Sequence, residues 1–122
     1  MEPLRFEGTV LLVEDSAIIA LDAECMLQEL GFTAVEVAAT GRQALEALSR
    51  GKVRVAVLDV NLGTETSTPI AQVLCSRGIP FAIATGYGNV RHIPKELANH
   101  PVIAKPYTAA GLAAALREAM SP

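Results

Sequence analysis

Val53-Arg54-Val55-Ala56-Val57-Leu58-Asp59 is the stretch that decides the fold. Its apolar residues run almost without a break, as in a strand covered on both faces, and the run stops at an acid. The same pattern recurs on either side. Upstream, Thr9-Val10-Leu11-Leu12-Val13 stops at Glu14-Asp15, and Ala34-Val35-Glu36-Val37 stops at Ala38-Ala39. Downstream, Phe81-Ala82-Ile83-Ala84 stops at Thr85, and Val102-Ile103-Ala104 stops at Lys105.

Helical patterns fill the gaps. Ile19, Ala23, Met26, Leu27 and Leu30 share one helix face, and Gly31 ends that helix. Gly41 to Arg50 follows, with Ala44, Leu45 and Leu48 expected inward, then Pro69 to Arg77, with Ile70, Val73 and Leu74 inward. Thr108 is expected to cap a last helix reaching Met120, with Leu112 and Leu116 toward the sheet. Gly86-Tyr87-Gly88-Asn89 is rich in turn formers, so the fourth helix should be short or mobile, with Pro94 to Ala98 its best candidate. Alternating strands and helices predict an α/β fold: a three-layer, doubly wound, five-stranded parallel sheet.

Composition narrows the class. The chain has 122 residues, 51% hydrophobic and 19% charged, enough for one packed domain over residues 1–122 with its core at about 9–120. Aromatics make up only 4%, with no Trp, so Ala, Val, Leu and Ile must build the core. A net charge of −3 argues against a nucleic-acid binder. No apolar run approaches a membrane span and no secretory leader is visible, so a cytoplasmic protein is expected. Cys25 and Cys75 lack metal or redox spacing and read as buried, reduced thiols. His92 and His100 likewise read as surface or cap residues.

Open α/β sheets bind ligands beyond the carboxyl ends of their strands. Glu14, Asp15, Asp59, Thr85 and Lys105 all follow apolar runs directly, so they should share one rim. Three carboxylates in proximity repel one another, and one lysine does not neutralise them. A hard divalent cation with oxygen ligands fits, and Mg²⁺ is the usual occupant. Asp59 is then a plausible nucleophile toward phosphorus, with Thr85 and Lys105 on the phosphoryl oxygens. Taken singly, each has a plainer reading. Glu14-Asp15 can cap a helix, Asp59 can be a turn residue, Thr85 a strand-end hydroxyl, and Lys105 a solvated charge.

As a set, Val13-Glu14-Asp15, Val57-Leu58-Asp59-Val60-Asn61, Ala84-Thr85-Gly86 and Lys105-Pro106-Tyr107 resemble the receiver domain of two-component response regulators. The resemblance implies strand order 2-1-3-4-5 and phosphorylation of Asp59 by a sensor histidine kinase. It further implies Mg²⁺ held by Asp15, Asp59 and the Asn61 backbone carbonyl, with Glu14 acting through water. Thr85 would be the switch hydroxyl, Lys105 the phosphoryl-binding lysine and Lys105-Pro106 a cis peptide. Asn61 and Tyr87 resemble positions that tune dephosphorylation.

Pro80-Phe81-Ala82-Ile83-Ala84-Thr85-Gly86-Tyr87-Gly88 is similar to the "FAT GUY" subfamily, whose motif reads Pro-Phe-x-Phe-Ala-Thr-Gly-Tyr-Gly. Its members are commonly single-domain and often paired with kinases of the HWE type. Two departures stand out. Ile83 occupies a Phe position, and Val102 stands where receivers carry an aromatic switch, which makes Tyr87 the candidate substitute.

The expected protein is therefore not an enzyme but a monomeric phosphoacceptor. It would pass its signal to a downstream protein or phosphotransfer partner, or act as a phosphate sink. Two other readings compete with this one. A pseudo-receiver would bind partners without phosphorylation. An aspartyl-nucleophile phosphatase would need a second Asp where this chain has Asn61.

Overall fold

The structure is a computed structural model that describes residues 6–63, 65–86 and 93–121, without the side chains of Asn61 and Glu96. Its elements run β1 (Thr9–Val13), α1 (Ala17–Leu30), β2 (Ala34–Ala38), α2 (Gly41–Ser49), β3 (Val53–Asp59), β4 (Asn61–Leu62), β5 (Glu65–Thr66), α3 (Thr68–Ser76), β6 (Phe81–Thr85), a 3-10 turn (Lys95–Leu97), β7 (Val102–Ala104) and α4 (Ala109–Met120). Five strands form one parallel sheet in the order β2-β1-β3-β6-β7. Counting only these five, that is the expected 2-1-3-4-5.

The continuous apolar runs explain the layering. Successive side chains of a strand point to opposite faces. Val10 and Leu12 of β1 therefore join Val55 and Val57 in a core with Ala23 and Leu27 of α1 and Leu112 and Leu116 of α4. Leu11 and Val13 join Ala56 and Leu58 in a second core with Leu48 of α2, Ile70 and Leu74 of α3, and Leu97. All of these strand residues are fully buried. A sheet sealed on both sides can be approached only at its edges and strand ends.

Local chemistry sets the helix ends. Ser16 caps α1 by accepting from the Ile19 N–H, Thr40 caps α2 through Gln43, and Thr108 caps α4 through Gly111. Gly31, at φ 125°, needs to be glycine because a Cβ there would collide with the Phe6 carbonyl oxygen. Gly111 has a different reason. A Cβ at that position would lie 2.9 Å from the Thr108 hydroxyl that caps the helix.

Several expectations need correction. Leu45 is 41% exposed, and Ala47 is buried in its place beside Ala44 and Leu48. Val73 is only partly buried, whereas Ala71 is in the core. Cys25 and Cys75 are exposed free thiols, because each lies off the face defined by its buried helix neighbours. The β4–β5 hairpin was not expected, since two-residue strands leave no periodicity to read. Between β6 and β7 the described residues hold only the 3-10 turn, and the rest of the expected loop, residues 87–92, lies outside them.

Candidate functional site

The carboxyl ends of β1, β3, β6 and β7 carry the polar residues singled out above, and backbone bonds hold each in place. The Glu14 N–H donates to the Ala38 carbonyl at 2.9 Å, Val60 to Ala84 at 2.9 Å, and Lys105 to Thr85 at 2.9 Å. The sheet's ladder thus continues one step past the strands and sets the starting point of each side chain.

Glu14, Asp15 and Asp59 converge, with one carboxylate oxygen from each within 4.8 Å of the others. Glu14 and Asp59 are buried and Asp15 is exposed. The Lys105 ammonium lies between the two buried acids, 2.9 Å from Glu14 Oε1 and 2.8 Å from Asp59 Oδ2. Burial alone would lower the Lys105 pKa, but the hydrogen bonds and charges of Asp59 and Glu14 outweigh it and raise the group above its ordinary value. Glu14 also accepts from the Ser16 N–H at 3.1 Å and from the Tyr107 hydroxyl at 3.4 Å.

Three carboxylates against one ammonium make the cluster acidic, open to solvent on the Asp15 side. All the donors are hard oxygens, so the set fits a divalent cation of the Mg²⁺ or Ca²⁺ kind rather than a soft metal. Bound there, such a cation would offset charge on oxygens brought to the cluster.

Thr85 stands one residue past Ala84, the register partner of Asp59 on the adjacent strand. Its hydroxyl is buried and has no hydrogen-bond partner among the described residues. A buried hydroxyl without a partner costs free energy, so Thr85, one strand over from Asp59, carries an unmet bond among the described residues.

The other expected residues divide. Lys105-Pro106 is a cis peptide, which turns the chain directly after the lysine. Asn61 forms β4 with its backbone paired to Thr66, and its side chain lies outside the described residues, as do Tyr87 and His92. Val102 is not part of the cluster. It pairs with Ile83 at the start of β7, and its side chain is 42% exposed. His100 packs its ring on Phe81, with centroids 4.0 Å apart, and burial lowers its pKa.

Tyr107 joins the site through a contact that its motif, Lys105-Pro106-Tyr107, does not specify. Burial, reinforced by Glu14 and Asp59, pushes its phenol pKa far above the ordinary range, so it stays protonated and can only donate to Glu14. Its place two residues after Lys105 was the available signal.

Comparison with known proteins agrees with this geometry. The response regulator receiver domain family matches residues 10–117. The solution structure of SdrG from Sphingomonas melonis Fr1 is 37% identical, with a TM-score of 0.84, covering 97% of this chain and all of that one. The BeF3-activated conformation of SdrG is 39% identical with a TM-score of 0.76, covering 95% of this chain and 96% of that one. Among curated proteins, the aerobic respiration control sensor protein ArcB of Escherichia coli is 38% identical over 68 residues, 56% of this chain and 9% of ArcB. The transcriptional regulatory protein PdtaR of Mycobacterium tuberculosis is 26% identical over 115 residues, 92% of this chain and 56% of PdtaR. The chain thus spans less than two thirds of these curated relatives. With the fold, the strand order and the acidic cluster already in hand, the conclusion is direct: the chain belongs to the response regulator receiver domain family.

Proposed function

We propose that this chain is a cytoplasmic phosphoacceptor in which Asp59 takes a phosphoryl group from the phosphohistidine of a sensor histidine kinase, in a Mg²⁺-dependent reaction. A carboxylate oxygen of Asp59 forms the new bond to phosphorus as the phosphorus–nitrogen bond to the donor imidazole breaks. The product is an acyl phosphate and a free imidazole. Glu14, Asp15, Asp59 and the Asn61 backbone carbonyl would hold the cation. Lys105 orients Asp59 through the 2.8 Å ion pair, and takes up charge on the arriving phosphoryl oxygens.

The observation that carries this reading is the Thr85 hydroxyl, buried one strand from Asp59 without a hydrogen-bond partner among the described residues. A phosphoryl oxygen on Asp59 would be that acceptor. Moving Thr85 toward it would favour one of two arrangements of the β6 end, which is the population shift a receiver needs. The apolar outer face of α1 near Asp15, with Ile18 80% and Leu21 62% exposed, suits a helical donor surface. A kinase of the HWE type is the candidate donor, on the subfamily likeness of Pro80 to Gly88. The phosphorylated monomer would act on a downstream protein or return the group to a phosphotransfer partner.

Incubation with radiolabelled acetyl phosphate tests the proposal. Label should enter the wild-type chain only with Mg²⁺ and should be absent from Asp59→Asn. Equal labelling of that variant would remove Asp59 from the role.

A further inference from the structure

The hairpin that follows Asp59 is too small to hold itself. Its strands contribute two pairs, Asn61 with Thr66 and Leu62 with Glu65, and an isolated hairpin of any length is marginal in water. At its base it is anchored by the Val60 N–H on the Ala84 carbonyl at 2.9 Å, the buried Ser67 hydroxyl on the Val60 carbonyl at 3.4 Å, and the buried Leu62 side chain. Its second strand has a different anchor. Glu65 Oε1 accepts the Gly41 N–H, the first of α2, at 3.0 Å.

That amide is one the helix cannot satisfy internally. The usual caps of α2 are committed elsewhere, Thr40 Oγ1 to the Gln43 N–H at 3.1 Å and Gln43 Oε1 to the Ala39 N–H at 2.7 Å. The bond from Gly41 to Glu65 is therefore a bridge between α2 and the hairpin rather than a cap within one element. At the turn the same hairpin approaches the acidic cluster. Gly63, at φ 65°, lies so that a Cβ would be 3.8 Å from Asp15 Oδ2. One small unit thus comes near Asp15 at Gly63 and bonds α2 at Glu65.

We infer that Glu65 is a positioning residue for metal binding, tying the hairpin to α2 and so fixing the Asn61 backbone and the Asp15 side of the cluster. This rests on the Mg²⁺ site proposed above. The prediction concerns affinity for the ion alone, before any phosphoryl group is present.

The test is a Mg²⁺ titration of the full chain followed by amide chemical shifts, with no phosphodonor. Glu65→Ala should weaken binding on the order of tenfold, as loss of an outer support of a metal site commonly does. Glu65→Gln keeps an acceptor oxygen for Gly41 and should stay within about twofold of wild type. Thr40→Ala removes the other cap of the same helix, and should lower the unfolding midpoint while leaving Mg²⁺ affinity unchanged. Glu65→Ala binding as tightly as wild type would overturn the inference. So would Glu65→Gln binding as weakly as Glu65→Ala, which would assign the effect to charge, or Thr40→Ala weakening the ion equally, which would assign it to helix stability. A wild-type chain that takes up no Mg²⁺ overturns the site itself, before any variant is read.

Discussion

Glu14 and Asp59, at the ends of β1 and β3, are held by Lys105, with Ser16 and Tyr107 adding bonds to Glu14. Thr85, at the end of the neighbouring β6, makes no side-chain hydrogen bond among the described residues. The acidic side is organised by these bonds before any ligand arrives. The hydroxyl side stores an unmet bond, so a ligand that supplies an acceptor changes its energy most. The function proposed above would place recognition on one strand pair and response on the next.

Removing Lys105 should break the acidic side most severely. Lys105→Met leaves two buried carboxylates facing Asp15 without their ammonium. That should cost about 3 kcal/mol in urea unfolding without divalent ions, the low end for a broken buried pair because Asp15 keeps the cluster wet. Adding Mg²⁺ should recover part of the loss. An unchanged midpoint would mean that the ion pair does not organise the site.

Thr85→Ala should do the opposite. With no bond to lose, stability should stay within about 0.5 kcal/mol of wild type. The same variant should lose the amide shifts around β6 that beryllofluoride induces in the wild-type chain. A destabilisation comparable to that of Lys105→Met would erase the contrast between the two sides.

The smallest effect should appear in pH dependence, again unlike on the two sides. Lys105 has a raised pKa, so its contribution is complete below 10.5 and is lost only as pH rises through the folded-state value. His100, stacked on Phe81 at the far end of β6, has a lowered pKa. The unfolded chain takes up that proton first. Stability should therefore be flat above 6.5 and fall slightly as pH drops from there through the lower folded value. His100→Phe keeps a stacked ring and should abolish that slope in urea midpoints between pH 7 and 5.

Much of this was legible in the chain. The apolar runs mark the strands because a doubly covered strand has no polar positions to spare, and their first polar successors mark the rim. Helix faces were read less well. Leu45 and Cys75 border the buried rows of their helices and Cys25 lies on the far side of α1 from Ala20, Ala23 and Leu27, so apolar type alone did not tell core from solvent. The bond from Gly41 to Glu65 was not legible at all, because the two are distant in sequence, and for Tyr107 only its place near Lys105 hinted at its bond to Glu14. The need for glycine at 111 was not legible either, because it comes from the Thr108 hydroxyl that caps the helix and would lie 2.9 Å from a Cβ there.

The two exposed thiols have a practical consequence. Cys25 rides on α1 and Cys75 on α3, helices packed against opposite faces of the sheet. A pair of spin labels on these native side chains would straddle the whole layered body without touching the rim. Any sliding of one layer over the other during signalling would then read out as one interlabel distance. In a chain without Trp, that ruler takes the place of the usual fluorescent reporter.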